Sequence, residues 1–194
     1  MNNSPYKGLP SCKWKAKTLE LVNSHPIEPK VLVKAVLDSW ELIYGSVIGE
    51  TIIIGETYFP TPQILGDFLH ELIPIELHEY NVNFRKGIGS LEKDIHSDEE
   101  FFSIEIKTSS QKEIYGNRSY AQKGTRLRKS KSGYYLAINF PPVHKLQEWQ
   151  PISQIRFGWI DEEDWLGQAS QTGQQARLSK EVLENKLITI YRND

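Results

Sequence analysis

Two carboxylates and a lysine define the chemistry that this sequence can do. Asp94 lies in Leu91-Glu92-Lys93-Asp94-Ile95, and Glu105 and Lys107 follow in Phe102-Ser103-Ile104-Glu105-Ile106-Lys107-Thr108. The second segment alternates apolar and polar residues, the period of a half-buried strand. Ile104 and Ile106 then share one face, and Glu105 and Lys107 project side by side from the other. The polar link His96-Ser97-Asp98-Glu99-Glu100 reads as a hairpin connection that folds Asp94 back against Glu105. Two acids and an ammonium in one small volume suit a hard divalent cation with a lysine beside it. The plain alternative is an exposed strand carrying a surface ion pair.

The elements that must hold these groups are legible in outline. Pro29 opens a helix through Val33, Val36, Leu37, Trp40 and Ile43, with Gly45 as its stop. Thr51 to Ile54 is a short strand or the buried end of another helix. Thr61-Pro62 starts a second helix through Ile64, Leu65, Phe68, Leu69 and Leu72, expected to stop before Pro74. That helix also carries His70 and Glu71. A zinc-protease reading needs a second His four residues on, where Pro74 stands, and is discarded. Glu71 either joins the central site as a further carboxylate or faces solvent. Gly87 and Gly89 suit a turn or a close backbone approach to a ligand. Strands are expected at Gly133–Phe140, Ile152–Ile160 and Leu187–Tyr191, with an acidic turn at Asp161–Asp164 and a short helix from Ser179. Residues 1–26 read as an irregular arm, free or pinned by Trp14 and Leu19. The whole is expected to be a single domain of α/β (mixed α+β) class.

Composition narrows the function classes. The chain has 194 residues, 39% of them hydrophobic, enough for a core. Cys12 is the only cysteine, which excludes an intrachain disulfide and a cysteine-built zinc site. No apolar run follows Met1 and no stretch of about 20 apolar residues occurs. The expected location is therefore the cytoplasm, without a membrane partner. Net charge is −2, yet Lys107 to Lys131 holds eight basic residues against the single acid Glu113, so +7 sits there and −9 elsewhere. That asymmetry suits nucleic acid; a solvated basic loop is the alternative. Tyr115-Gly116-Asn117-Arg118-Ser119-Tyr120-Ala121-Gln122 supplies the amides, hydroxyls and arginine that reach phosphates and base edges. Asn117, Arg118, Tyr120 and Gln122 are the candidate nucleic-acid contacts. Ser109, Lys123, Arg126, Arg128 and Lys131 are the candidate backbone contacts. Gln168 to Arg177 is a second candidate recognition loop, or a plain surface loop.

Asp94 followed by Glu105-Ile106-Lys107 resembles the PD-(D/E)XK nuclease signature, with Lys93 where that signature has proline. The blocks Glu92–Ile95, Ile104–Ser110, Tyr115–Gln122 and Arg156–Asp161 with Asp164-Trp165 are similar to a ScaI-type family of type II restriction endonucleases, from about residue 58 to the C-terminus. The Gly-Asn-Arg-Ser-Tyr-Ala-Gln block is the specific part. The resemblance implies a restriction-endonuclease-like core, a mixed central sheet flanked by helices. It implies Asp94, Glu105 and the Ile106 carbonyl as Mg²⁺ ligands, Lys107 for the attacking water and the phosphate, and Glu71 as the helical glutamate that often joins such sites. It further implies double-stranded DNA as substrate, a short palindromic target and a homodimer. Two other readings stand beside it: a repair or junction nuclease on the same fold, and a DNA-binding protein in which Glu105 and Lys107 merely pair.

Overall fold

The computed structural model describes residues 4–121, 130–144, 149–168 and 174–193. A six-stranded mixed sheet forms its centre. In spatial order its strands are β11 (Leu187–Arg192), β8 (Gln154–Ile160), β7 (Gly133–Asn139), β5 (Ile104–Ser109), β4 (Ile95–Ser97) and β3 (Phe84–Lys86). β5 and β7 run parallel, whereas the other neighbouring pairs are antiparallel.

The alternation in β5 sorts its side chains as the period demands. Ile104 and Ile106 join Leu136, Ile138, Ile155 and Phe157 in the main core, all fully buried. Helices α1 (Trp14–Ser24), α2 (Pro29–Ile43) and α3 (Pro62–Tyr80) contribute Leu21, Trp40 and Leu69 to that same core. Each such side chain contributes about 1.5–3 kcal/mol relative to exposure. The opposite face carries Glu105, Tyr135, Ala137 and Arg156 in register. A three-stranded sheet lies over it, ordered β6 (Tyr115–Asn117), β10 (Gln175–Leu178) and β9 (Trp165–Gly167). Trp165, Ala176 and Leu178 pack there with Tyr135, Ala137 and Ile160.

Of the two readings of Thr51 to Ile54 the strand holds, in a small hairpin of β1 (Val47–Ile48) against β2 (Ile52–Ile53). Three expectations need correction. Residues 11–24 are not an irregular arm: a 3₁₀ turn leads into α1, and Tyr6, Leu21 and Val22 are buried. α3 does not stop before Pro74 but runs on to Tyr80. A proline inside a helix costs about 3 kcal/mol and leaves the carbonyl four residues back without its donor. Burial of Ile73, Pro74 and Leu77 against the core outweighs that cost. Finally, the polar stretch after Gly167 is strand at its far end, because β10 pairs with both β6 and β9; residues 169–173 lie outside the described residues. The acidic turn is a 3₁₀ turn, Glu162–Asp164, and the short helix expected from Ser179 is α4 (Lys180–Asn185), capped by the Ser179 hydroxyl.

Candidate active site

β4 and β5 pair only through Ile95 and Ile104. Beyond that point the two strands part, and the backbone of Ile106 faces the gap. Asp94 fills it: its Oδ2 accepts from the Ile106 N–H at 2.7 Å. A residue's N–H and C=O point to the same side of a strand, so the Ile106 carbonyl faces the gap too. One hydrogen bond thereby brings a carboxylate and a carbonyl oxygen together at the strand edge.

Glu105 and Lys107 project from the neighbouring face. Lys107 Nζ donates to Glu105 Oε1 at 2.7 Å and to the Ile106 carbonyl at 3.0 Å. Glu105 is 4% exposed. An exposed pair of this kind contributes about 0–1 kcal/mol; a buried one is costly to desolvate and is held only where further donors satisfy it. A second donor is present, since the Tyr120 hydroxyl reaches Glu105 Oε1 at 2.5 Å.

The turn behind Asp94 is built tightly. Arg85 grips Glu92 with two bonds of 2.9 Å and holds its carboxyl well below the usual range, at about 2. The Gly87 N–H donates to the Asp94 carbonyl at 3.0 Å. A Cβ on Gly87 would lie 2.1 Å from the Lys93 carbonyl oxygen, so the close approach at this glycine is to backbone. Lys93, in the position of the signature proline, buries its ammonium against the Ser132 carbonyl at 2.9 Å.

From α3 it is His70 that reaches the carboxylates: its Nδ1 is 3.8 Å from Asp94 Oδ2. Burial lowers its pKa, Asp94 raises it and Lys107 lowers it, with a net downward shift that favours the neutral imidazole. Glu71, expected from this helix, is 58% exposed and ion-paired with Lys86 at the rim. Sequence reasoning passed over His70 because it weighed that residue only as a zinc ligand. The available signal was Gly66 one turn earlier, where a Cβ would lie 2.5 Å from Thr108 Oγ1: α3 sits directly on the end of β5.

Asp94 and His70 line a cavity of about 350 Å³, and His70, Glu105 and Lys107 line the neighbouring one of about 890 Å³, which opens between α3, the end of β5 and β6. Ser109, Asn117, Ser119 and Tyr120 line it. Asn117 Oδ1 accepts from the Ser119 N–H at 3.1 Å and shapes the turn that follows β6. The Arg118 side chain is exposed, and its N–H is anchored to the Gln174 carbonyl at 2.7 Å. Tyr120 differs from the expected DNA contact in directing its hydroxyl at Glu105. Lys131, expected at a phosphate, is 8% exposed and bonds the Ser119 carbonyl. Gln122, Lys123, Arg126 and Arg128 lie outside the described residues. Arg156, given no role of its own from the sequence, is buried and donates to Asn139 Oδ1 at 2.8 Å, and Asn139 supports the Gln111 carbonyl.

Among the described residues no trio of His, Cys, Asp and Glu side chains is placed to hold a metal ion. The oxygen set here is of another kind, two carboxylates and a backbone carbonyl, which suits a hard cation that keeps several waters. No helix among the described residues is long and apolar enough to cross a membrane.

The family model for the ScaI restriction endonuclease matches residues 4–191. The chain is 41% identical to a protein of Streptomyces caespitosus described as type II restriction enzyme ScaI, over 98% of this chain and 86% of that one. The blocks around Asp94, Glu105 and Gly116 thus sit within a match that spans nearly every element described above, and this chain belongs to the ScaI restriction endonuclease family.

Proposed function

We propose that the chain is a type II restriction endonuclease that hydrolyses phosphodiester bonds of double-stranded DNA at a short palindromic sequence, with Mg²⁺ as cofactor. The observation that carries this reading is the convergence of Asp94, Glu105, the Ile106 carbonyl and Lys107 through their hydrogen bonds, beside an open cleft that Glu105 and Lys107 line. Asp94, Glu105 and the Ile106 carbonyl would hold the ion. When bound, Mg²⁺ supplies Lewis-acid polarisation of the phosphate and of the attacking water.

The chain's own groups do the rest. Lys107, held by Glu105 and the Ile106 carbonyl, presents an ammonium to the attacking water and to the phosphate oxygens. It stabilises hydroxide character in the one and the growing negative charge on the other. The water oxygen attacks phosphorus in line, and the ester bond on the far side breaks. Asn117 and Arg118 on the exposed turn, with Ser109, grip the DNA near that bond. Gln122, Lys123, Arg126 and Arg128 extend the basic surface along the phosphates. Because one such centre cuts one strand, a palindromic duplex is cut by a two-fold homodimer.

Plasmid digestion tests the reading. With Mg²⁺ the purified protein yields discrete fragments, and with EDTA it yields none. Nicking or structure-dependent cutting without discrete fragments would favour a repair nuclease. Salt-sensitive binding with no metal-dependent product would leave only a DNA-binding protein.

A further inference from the structure

Tyr120 stands where the turn at the cleft wall meets the catalytic pair. It belongs to the 3₁₀ turn Arg118–Ala121, directly after Asn117. Its hydroxyl donates to Glu105 Oε1 at 2.5 Å, the oxygen that also accepts from Lys107 Nζ at 2.7 Å. Its ring centroid lies 4.8 Å from that same Nζ. One side chain therefore holds both partners through different atoms: the hydroxyl meets the carboxylate, and the ring meets the ammonium.

The ring is itself fixed from behind. Trp165 packs against it at 4.8 Å and 61°. A Cβ on Gly116 would lie 2.9 Å from the Tyr120 ring and 3.2 Å from Trp165, so the space for this ring depends on glycine there. This packing holds the hydroxyl on the Glu105 carboxylate. A phenol reading DNA would instead point its oxygen into the cleft.

We infer that Tyr120 is a positioning residue of the catalytic centre, its hydroxyl orienting Glu105 and its ring seating Lys107. The inference rests on the nuclease reading given above. Tyr120→Phe removes the hydroxyl and keeps the ring, so the two contacts separate cleanly. In single-turnover cleavage at saturating DNA, Y120F slows the reaction roughly 10- to 100-fold, the weight of one hydrogen bond to a charged group. The Mg²⁺ concentration for half-maximal rate rises, while the Kd for DNA measured with Ca²⁺ is unchanged. Tyr120→Leu, which also loses the ring beneath Lys107, is slower still.

Wild-type rate and Mg²⁺ dependence in Y120F, alongside an inactive Lys107→Ala, would overturn the positioning role and leave the nuclease reading intact. A defect confined to the Kd for DNA would overturn it as well, returning Tyr120 to the DNA surface. Wild-type cleavage by Lys107→Ala would overturn the nuclease site and the inference with it. Should Y120F fail to fold, Gly116→Ala carries the same test by displacing the ring. Slower cleavage with unchanged DNA affinity supports the role, and a wild-type rate overturns it.

Discussion

At the scale of single residues, the site works by placing unlike charges where water is scarce. Glu105 is 4% exposed, and Lys107 and Tyr120 both donate to it. Glu105→Gln preserves the shape and removes the charge. Single-turnover cleavage is expected to fall at least roughly 100-fold with folding retained. The same logic operates far from the cleft. Lys186 is buried, bonded to Asp161 and Asp164 at 2.8–2.9 Å, and lies 4.3 Å from the Tyr6 ring and 4.5 Å from the Trp14 ring. Lys186→Met strands two buried carboxylates, and urea unfolding should report a loss of about 3–5 kcal/mol. Glu105 and Lys107 were legible from the sequence because a period of two fixes which side chains share a face. The pairing of Asp164, read there only as part of an acidic turn, was not. Its partner lies 22 residues on in Lys186, and local pattern carries no information about such a pairing.

At the scale of elements, close backbone approaches set the geometry. Gly87 lets the exit of β3 lie on the Lys93 carbonyl, beside Asp94. Gly87→Ala must push that turn away, since the atom in the way is backbone. Overpacking of this kind costs about 1–3 kcal/mol; thermal melting should show the loss, and cleavage should slow as Asp94 shifts. The parallel pairing of β5 with β7 has a second consequence. Parallel neighbours need a crossover, and this one carries β6 and the Arg118–Ala121 turn over the face that bears Glu105. The Gly116–Tyr120 block is consequently brought to the carboxylates by topology. Sequence patterning identified α2, β5, β7 and β8 because each is long and regularly periodic. It missed the β6–β10–β9 sheet, whose strands are only three or four residues long. It also ended α3 at Pro74, where tertiary burial overrides a local preference.

At the scale of the whole molecule, charge and burial act over longer distances. The surplus of +7 between Lys107 and Lys131 is not uniformly presented: Lys107 is paired with Glu105, and Lys131 is buried under the turn. DNA affinity should still fall steeply with salt, linearly in log–log form, as phosphate contacts release counterions. Stability should respond to pH through His25, which is buried among Phe84, Phe102, Tyr134 and Phe157. Burial lowers its pKa from 6.5 to about 4. The unfolded chain thus binds a proton first as pH falls. Stability from this group is full above about pH 6.5, declines through about pH 4, and is gone below, a change on the order of 3 kcal/mol. Denaturation midpoints followed across that window check it, and His25→Asn should flatten the decline. The proposed division of labour between Asp94 and Lys107 is decided by single-turnover cleavage of a mapped duplex by Asp94→Ala and Lys107→Ala, with DNA affinity measured in parallel. Cleavage at least roughly 100-fold slower in each variant, at near wild-type affinity, is expected; a wild-type rate in either would overturn the assignment.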